Sequence, residues 1–563
     1  MPTVPLSPQW RTVATERTVL AVVHNVTAAT RLFDVLELFA GDPRVQIVFT
    51  CPGSSAFTDG TAEYLAARGV TTLPWDRAIR TNFDSAISAS YGGDLHEIAA
   101  PLIVVPHGMG YNKFLKPETG NRKPETGNRK PETGNRKPET GNRKPETVFG
   151  LSAPWLMHDG KVVATHIVLS HEEQLERLRM ACPEAAERAI VSGDPCLDRL
   201  QASTPLRETY RQAFGLDKAQ RFVVVSSTWG TSSLLGANTS LVLKLAQELP
   251  YDSYRIAVAL HPNIVQGHSP WQVKMWLDDC TRAGVLVLEN EDLWRPALVA
   301  ADLTIGDHGS VTFYSACLGT PVVLGSAPQE TVHPDSPIAL LLRTAPRLDA
   351  VSSTRLDDII DAHRPGRYAE ITELATSVPG KAADLLRDLW YSAIGLAPPT
   401  IAPSLKALPV PDIAPPNPRA WTAEVSFATD GTATLSRYPV DGRSKRTLGR
   451  ANTHLVVGTD EPDIALLRLA EVVMRPDIAH APDTWTAATL RALPGCRVAA
   501  IRADEDEWRV ETHDGLRFGI GTADPAFVSV LYALLGGEAV PQELRLRRGP
   551  TTYSAKITVR ASH

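Results

Sequence analysis

Short apolar runs alternate with amphipathic stretches along residues 15–396. The runs have the length of buried strands, and the stretches between them have the spacing of helices. The first series of predicted strands covers 18–23, 45–50, 71–73, 102–105, 165–169 and 189–192. The second series covers 222–226, 255–260, 285–288, 303–305 and 321–324.

This alternation predicts parallel sheets with helices on both faces. Because the two series join near 200–220, we predict an α/β fold in which two Rossmann-like domains, 1–200 and 201–396, face a cleft. Ligands of such folds bind at the carboxyl ends of the strands. The candidate functional residues are therefore those that follow the predicted strands.

A proline-rich segment, 397–419, interrupts the pattern with eight prolines. Its composition predicts a semi-rigid linker. Beyond it, residues 420–563 combine predicted antiparallel strands with helices over 463–473 and 526–535. The predicted strands are 422–427, 432–438, 498–502, 508–512 and 516–520. We interpret this third region as an α+β accessory domain that binds a protein partner or regulates the rest of the chain.

A seven-residue repeat, KPETGNR, occupies 116–147. Complete copies begin at Lys116, Lys123, Lys130 and Lys137, and a partial copy fills 144–147. Each copy contains proline and glycine and no apolar residue, so the segment cannot bury enough surface to offset its ordering entropy. We predict a disordered, solvated insertion in the first domain. Its five Lys and four Arg against five Glu give +4, so it either contacts an anionic acceptor or membrane surface or is a tolerated surface expansion.

The whole chain carries 57 Lys and Arg against 63 Asp and Glu, and this net charge of −6 gives no reason to expect nucleic-acid binding. Six scattered cysteines without a Cys-x-x-Cys pair favour reduced thiols over disulfides or structural zinc. No apolar run approaches the length of a membrane span or of a signal-peptide core. We expect a cytoplasmic protein, with peripheral contact at the inner membrane face left open.

The sequence lacks the P-loop motif, the Gly-x-Gly-x-x-Gly dinucleotide fingerprint and the Gly-x-Ser-x-Gly nucleophile elbow. Other chemical groups follow the predicted strands instead. His107 follows strand 102–105 and is suited to general-base work because imidazole titrates near neutrality. Thr228 offers its hydroxyl to phosphate oxygens, and His261 projects toward the same cleft.

A further segment, 301–312, precedes a predicted helix. Ser310 is expected to cap that helix, whose first N–H groups form an anion site. Gly309 would let a phosphate approach the backbone, and Asp307 lies beside it. For each of these segments a purely structural role, as a turn histidine or an ordinary helix cap, stays open.

Taken in order, these segments resemble the CDP-glycerol glycerophosphotransferase family, the teichoic-acid polymerase type with a GT-B fold. The resemblance covers about 95–330. It is carried by Pro106-His107-Gly108, 193–200, Ser227-Thr228-Trp229, His261-Pro262 and 301–311. The sequence departs from the family pattern at Pro106, where the family has Trp, and at His308-Gly309, where it has Tyr-Ser.

The resemblance implies a transferase that needs neither metal nor cofactor. Its donor would be a nucleotide diphosphate, CDP- or UDP-linked, and its acceptor is unknown, with an anionic polymer or a lipid-linked molecule as candidates. His107 matches the acceptor-side catalytic base. His261 and Ser310 match groups on the donor pyrophosphate, with Asp307 and Thr228 nearby.

Two alternatives remain open. The same superfamily includes UDP-N-acetylglucosamine 2-epimerases, but such an enzyme needs carboxylates facing the sugar, and the sequence does not place them. The departures from the family pattern also fit a GT-B scaffold that has lost its chemistry and acts as a nucleotide-sensing or protein-interaction protein.

Overall fold

A computed structural model describes residues 12–53, 60–114, 147–289, 292–348, 355–403, 405–440, 453–478, 480–537, 540–548 and 551–560. Within these ranges the chain forms two parallel sheets, one small hairpin and one closed barrel. The KPETGNR insertion lies outside the described residues except for its last residue, Thr147.

The first sheet has seven parallel strands in the order β3-β2-β1-β4-β5-β8-β9. The strands, with the hairpin β6-β7, are β1 (Arg17–Val22), β2 (Val45–Cys51), β3 (Thr72–Pro74), β4 (Ser85–Ser88), β5 (Leu102–Val104), β6 (Met157–His158), β7 (Lys161–Val162), β8 (His166–Leu169) and β9 (Ala189–Val191). The helices are α1 (Val26–Leu36), α2 (Thr61–Ala67), α3 (Trp75–Ala78), α4 (Ala153–Leu156), α5 (Glu172–Ala181), α6 (Pro183–Ala186) and α7 (Pro195–Ala202).

Strand β4 lies at the centre of this sheet, although the apolar pattern did not predict it. It is a short, serine-bounded strand that is fully buried between β1 and β5. The Ser88 hydroxyl donates a hydrogen bond to the Ser90 carbonyl, so burial leaves it paired. A strand whose polar groups are satisfied by its neighbours carries no apolar signature in the sequence.

The second sheet has five parallel strands in the order β12-β11-β10-β13-β14. The strands are β10 (Arg221–Ser227), β11 (Tyr254–Leu260), β12 (Leu286–Leu288), β13 (Leu303–Gly306) and β14 (Val322–Leu324). The helices are α8 (Arg207–Ala213), α9 (Leu234–Ala237), α10 (Leu241–Glu248), α11 (Pro262–His268), α12 (Pro270–Arg282), α13 (Trp294–Ala300), α14 (Ser310–Cys317), α15 (Pro337–Thr344), α16 (Leu356–Ala362) and α17 (Ala369–Thr372). The predicted pair of α/β domains with parallel sheets is confirmed.

Helix α18 (Ala382–Ala393) comes after the second sheet in the chain but packs against the first. Its buried residues Leu386, Trp390 and Tyr391 belong to the same apolar cluster as α1 and β1. The Trp390 indole donates to the Val35 carbonyl at 3.2 Å, and the Tyr391 hydroxyl donates to Asp42 at 2.8 Å. The predicted boundary at residue 396 put this helix in the second domain, because chain order alone does not show which sheet a helix packs against.

The third region closes into a nine-stranded barrel in the order β15-β16-β22-β23-β21-β20-β19-β18-β17. The strands are β15 (Ala420–Phe427), β16 (Ala433–Pro439), β17 (Thr453–Gly458), β18 (Val472–Arg475), β19 (Val498–Asp504), β20 (Glu507–Thr512), β21 (Arg517–Gly521), β22 (Glu543–Arg548) and β23 (Thr551–Arg560). The helices are α19 (Ile464–Leu469), α20 (Pro482–Ala492) and α21 (Ala526–Leu534).

The barrel corrects two details of the predicted α+β domain. Strands β17, β18 and β19 pair in parallel, whereas the prediction had only antiparallel strands. The helix predicted for 463–473 ends at Leu469. The last two residues of the predicted range, Val472 and Val473, begin strand β18 instead. Helix α21 is apolar on nearly every side because it packs into the core formed by the inward-facing residues of the barrel.

Paired charges dock the barrel onto the second domain. Arg437 of β16 donates to both carboxylate oxygens of Asp252, at 2.6 and 3.1 Å, and its carbonyl accepts from the Tyr251 N–H. Arg282 of α12 pairs with the buried Glu461 at 2.7 Å. The longest described helix, α12, has 13 residues, and no helix within the described ranges is both long and apolar enough to cross a membrane.

Candidate functional site

A cavity of about 970 Å³ lies between the two parallel sheets. Its first wall comes from the loops after β1, β4 and β5, and its second wall from the loops after β10, β11 and β13. Because all these loops follow the carboxyl ends of parallel strands, the cavity lies where ligands of such folds bind. The lining includes the predicted residues His107, Thr228, His261, Gly309 and Ser310.

His107 stands on the first wall, in the loop that follows β5. Its ring meets the edge of Phe149 at a centroid distance of 5.4 Å. Burial, together with the positive charges of Lys113 and Arg31, lowers the pKa of His107 to about 4. The imidazole is therefore neutral at pH 7 and able to accept a proton.

The two walls touch at Gly108 and Ser310. The Ser310 hydroxyl oxygen accepts a hydrogen bond from the Met109 N–H at 3.1 Å. A Cβ atom on Gly108 would lie 2.7 Å from that same oxygen, so a side chain at this position would force the Ser310 hydroxyl to rotate and would break its hydrogen bond to Met109. This contact places the loop of His107 directly against the start of α14.

The structure corrects the capping role of Ser310. Helix α14 begins at Ser310, its N-cap residue is Gly309, and no side chain caps it. Ser310 instead uses its hydroxyl to hold the opposite wall. The first N–H groups of α14 are thus free of a side-chain cap at the cavity wall, an arrangement that suits an anion.

Asp307 is 1 % exposed and lies behind the cavity wall. One carboxylate oxygen accepts from the N–H and the hydroxyl of Thr228, at 2.9 and 2.8 Å, and from the Leu234 N–H at 2.9 Å. The other oxygen accepts from the Gly309 N–H at 3.0 Å. With its acceptors occupied in this way, Asp307 positions the loops after β10 and β13 rather than offering a free carboxylate.

His261 is the N-cap of α11, and its Nδ1 accepts the Asn263 N–H at 3.1 Å. An accepting Nδ1 places the proton of the neutral ring on Nε2, which makes that nitrogen a hydrogen-bond donor. Burial lowers the pKa of His261 to about 3, with Lys113, His107 and His308 contributing. The ring is neutral at pH 7 and suited to donate to an anionic oxygen.

Several polar residues of the site were missed by the sequence analysis. Lys113 lines the cavity between the walls, and its charge lowers the pKa of three neighbouring histidines. His24, after β1, donates from Nε2 to the Gly92 carbonyl at 2.5 Å, while its buried Nδ1 has no partner among the residues that the structure describes. Its position at a strand end was the one signal available. Lys113 lies several residues beyond its strand, so the chain gave no such signal.

A buried charge network backs the cavity. Arg31 of α1 donates to Asp194 at 3.0 Å and to the Tyr314 hydroxyl at 2.8 Å. Tyr314 of α14 in turn donates to Asp194 at 2.6 Å, and Asp194 also caps α7. The network joins helices of both domains. Burial raises the pKa of Tyr314 and Asp194 adds to the effect, whereas the positive charge of Arg31 opposes it.

Aromatic rings form much of the first wall. Phe149 packs edge-on against Trp155 at 4.7 Å and against Tyr91 at 6.5 Å. Among the described lining residues the only carboxylate is Asp94. Within the described part of the chain no group of three or more His, Cys, Asp or Glu side chains could hold a metal ion.

No family model matches this chain. No curated protein matches it either. Solved structures similar to it include the wall teichoic acid polymerase TagF, 14 % identical over 68 % of this chain and 90 % of that chain, with a TM-score of 0.41. The UDP-GlcNAc 2-epimerase from Neisseria meningitidis bound to UDP-GlcNAc is 14 % identical over 67 % of this chain and 100 % of that chain, with a TM-score of 0.38. S. aureus MnaA with UDP is 9 % identical over 69 % of this chain and 99 % of that chain, with a TM-score of 0.40. Similarity of this degree assigns no activity, so the proposals below rest on the geometry of the cleft.

The four hydrogen bonds to Asp307 predict that Asp307→Asn destabilises the second domain. An amide offers one acceptor oxygen, and its NH₂ group would face donors. We expect the free energy of unfolding to fall by about 3 kcal/mol, because buried donors lose their partner. Urea unfolding measures the change. The exposed Asp335 is the matched control, and Asp335→Asn is expected to stay within about 0.5 kcal/mol of the wild type.

Buried histidines predict a loss of stability in acid. Burial lowers the pKa of His24 to about 4, whereas the unfolded ring keeps a pKa of 6.5. Between these values the unfolded state binds a proton that the folded state does not, so stability falls as pH drops from about 6.5 to about 4. His24 alone should contribute about 2 kcal/mol between pH 7.5 and pH 5. Urea unfolding at the two pH values should show a smaller loss for His24→Phe; equal losses would contradict the prediction.

Proposed function

We propose that this chain is a metal-independent GT-B transferase. It moves a glycerophosphate or glycosyl group from a nucleotide-diphosphate donor, such as CDP-glycerol, to a hydroxyl acceptor. The observation that carries the proposal is that His107 and the start of α14 line the same cavity from opposite walls. The two walls are joined there by the hydrogen bond from the Met109 N–H to the Ser310 hydroxyl. A neutral base on one wall faces an uncapped helix start and a donor imidazole on the other, which is the pairing that such a transfer needs.

The proposed reaction begins with the acceptor hydroxyl beside His107. The neutral imidazole takes the hydroxyl proton as the oxygen attacks the donor. In glycerophosphate transfer a new O–P bond forms, the bridging P–O bond breaks and a nucleoside monophosphate leaves. In glycosyl transfer a C–O bond forms at the sugar, the bond to the diphosphate breaks and a nucleoside diphosphate leaves.

The second wall would stabilise the charge that develops on the leaving phosphate. His261 offers its Nε2–H, and the first N–H groups of α14 add the positive end of the helix dipole. Gly309 permits close approach there, and Asp307 keeps the two loops in place through Thr228. Fixed donors of this kind act without reorganisation during the reaction.

The lining favours a transferase over an epimerase. An epimerase of this type needs carboxylates that face the sugar, whereas Asp94 is the only carboxylate among the described lining residues. The three histidines His24, His107 and His261 line the cavity in the neutral form at pH 7, which can accept a proton or donate a hydrogen bond.

A nucleotide panel tests the donor site. We expect one of CDP, UDP, GDP and ADP to raise the melting temperature of the wild type, since a ligand at 100 times its Kd stabilises the folded state by about 2.7 kcal/mol. The shift should be lost in His261→Ala and kept in His268→Ala, a histidine at the other end of the same helix. The absence of a shift with any nucleotide at millimolar concentration would contradict the donor site and favour the scaffold alternative.

The variant His107→Ala tests the base. Turnover, followed as release of nucleotide from CDP-glycerol and from UDP-sugars, is expected to fall about 100- to 10,000-fold. Nucleotide affinity should stay within about threefold, because His107 lies on the acceptor wall. His96→Ala is the control, since His96 is an exposed histidine of the same domain. Retained turnover in His107→Ala would remove the assignment of the base.

A further inference from the structure

The segment that carries Lys113 is held by both domains. The Phe114 N–H donates to the Thr331 carbonyl at 3.0 Å, and the His333 N–H donates to the Asn112 carbonyl at 2.8 Å. On its other side the Lys113 carbonyl accepts from the Phe149 N–H at 3.0 Å. The backbone of Lys113 is therefore fixed between the first domain and the 331–333 loop of the second, directly beside the cavity.

The side chain of Lys113 lines that cavity without a carboxylate partner among the described residues. The carboxylate whose charge acts on Lys113 is Asp307, and the oxygens of Asp307 already accept four hydrogen bonds. Burial lowers the pKa of Lys113, as expected for a cation that lacks a compensating charge. A cation taken out of water in this way is costly unless a ligand supplies the missing anion.

Apart from the occupied carboxylate of Asp307, the groups on which the charge of this lysine acts are neutral imidazoles. Its charge acts on His107 on one wall and on His261 and His308 on the other, so it lies between the walls. His308 is 5 % exposed and has a buried Nδ1 without a partner among the described residues. The region thus combines one cation with several imidazoles and the start of α14, a composition that matches a doubly charged phosphate group.

We infer that Lys113 binds a phosphate oxygen of a diphosphate ligand, reaching from the first domain to an anion that His261 and the start of α14 hold from the second. The inference deepens the proposed function and rests on it for the identity of the nucleotide. It makes Lys113 the residue that distinguishes a diphosphate from a nucleoside. Because the lysine backbone is tied to both domains, the ligand would be held with the cleft geometry already in place.

Calorimetric titration with inorganic pyrophosphate tests the inference on the full chain. Lys113→Gln is expected to weaken pyrophosphate binding tenfold or more, while Lys113→Arg keeps most of the affinity. The exposed Lys161 of the same domain is the control, and Lys161→Gln should bind like the wild type. The affinity should also depend less steeply on salt in Lys113→Gln, because one fewer positive charge meets the anion.

Two further readouts separate the outcomes. The ligand-free Lys113→Gln protein should melt at or above the wild-type temperature, since the variant removes a half-buried cation that has no carboxylate partner among the described residues. A lower melting temperature or failure to fold, repeated in Lys113→Met, would assign Lys113 a structural partner and overturn the inference. Equal binding of a nucleoside diphosphate by wild type and Lys113→Gln would also overturn it while leaving the proposed function intact. Lysine-dependent binding of pyrophosphate without binding of any nucleotide would support the inference and contradict the proposed donor.

Discussion

The buried carboxylate of Asp194 accepts hydrogen bonds from Arg31 and from Tyr314 while it caps helix α7. Three helices, drawn from both Rossmann-like domains, therefore meet at one charge that has almost no contact with water. Removing one partner of such a pair leaves an uncompensated buried charge, which costs about 3–5 kcal/mol. The network ties α14 to the first domain, and the start of the same helix makes the hydrogen bond between the Ser310 hydroxyl and the Met109 N–H. At Gly108 an added Cβ would displace the Ser310 hydroxyl, so a side chain there would break this hydrogen bond between the walls.

The chemistry of the cavity follows from the contrast between carboxylates that are already occupied and positive or donor groups that are not. Asp307 is buried and occupied by four donors, and Asp194 is paired with Arg31, so neither offers a free carboxylate to the space between the sheets. Lys113 and the neutral imidazoles remain, together with the uncapped start of α14. Such a lining stabilises anions, because fixed N–H donors and a cation in a partly enclosed cleft act more strongly than they would in water. The low pKa values of the histidines have the same origin, since burial and a neighbouring cation both disfavour the imidazolium form.

The nine-stranded barrel is joined to the second domain through charges that are mostly buried. Arg437 and Asp252 form a forked pair, and Arg282 reaches Glu461 from the longest described helix. A forked guanidinium–carboxylate pair fixes orientation as well as distance. The barrel therefore has a defined position on the face of the second domain built from α10 and α12 and the loop before β11. Its proposed role in binding a protein partner stays a prediction.

The sequence by itself determined the two α/β series and the strand-end positions of His107, Thr228 and His261, because buried parallel strands and amphipathic helices leave a local, periodic record. It did not contain β4, whose pairing with β1 and β5 buries it, or the return of α18 to the first sheet, because both depend on contacts between residues distant in the chain. It also predicted Ser310 as a helix cap, whereas the hydroxyl holds the opposite wall. Lys113 lacks any local pattern, and only the folding of its segment between two domains brings its charge beside the histidines. Local periodicity specifies elements; tertiary structure alone decides which side chains share a cavity and which charges are left without a partner.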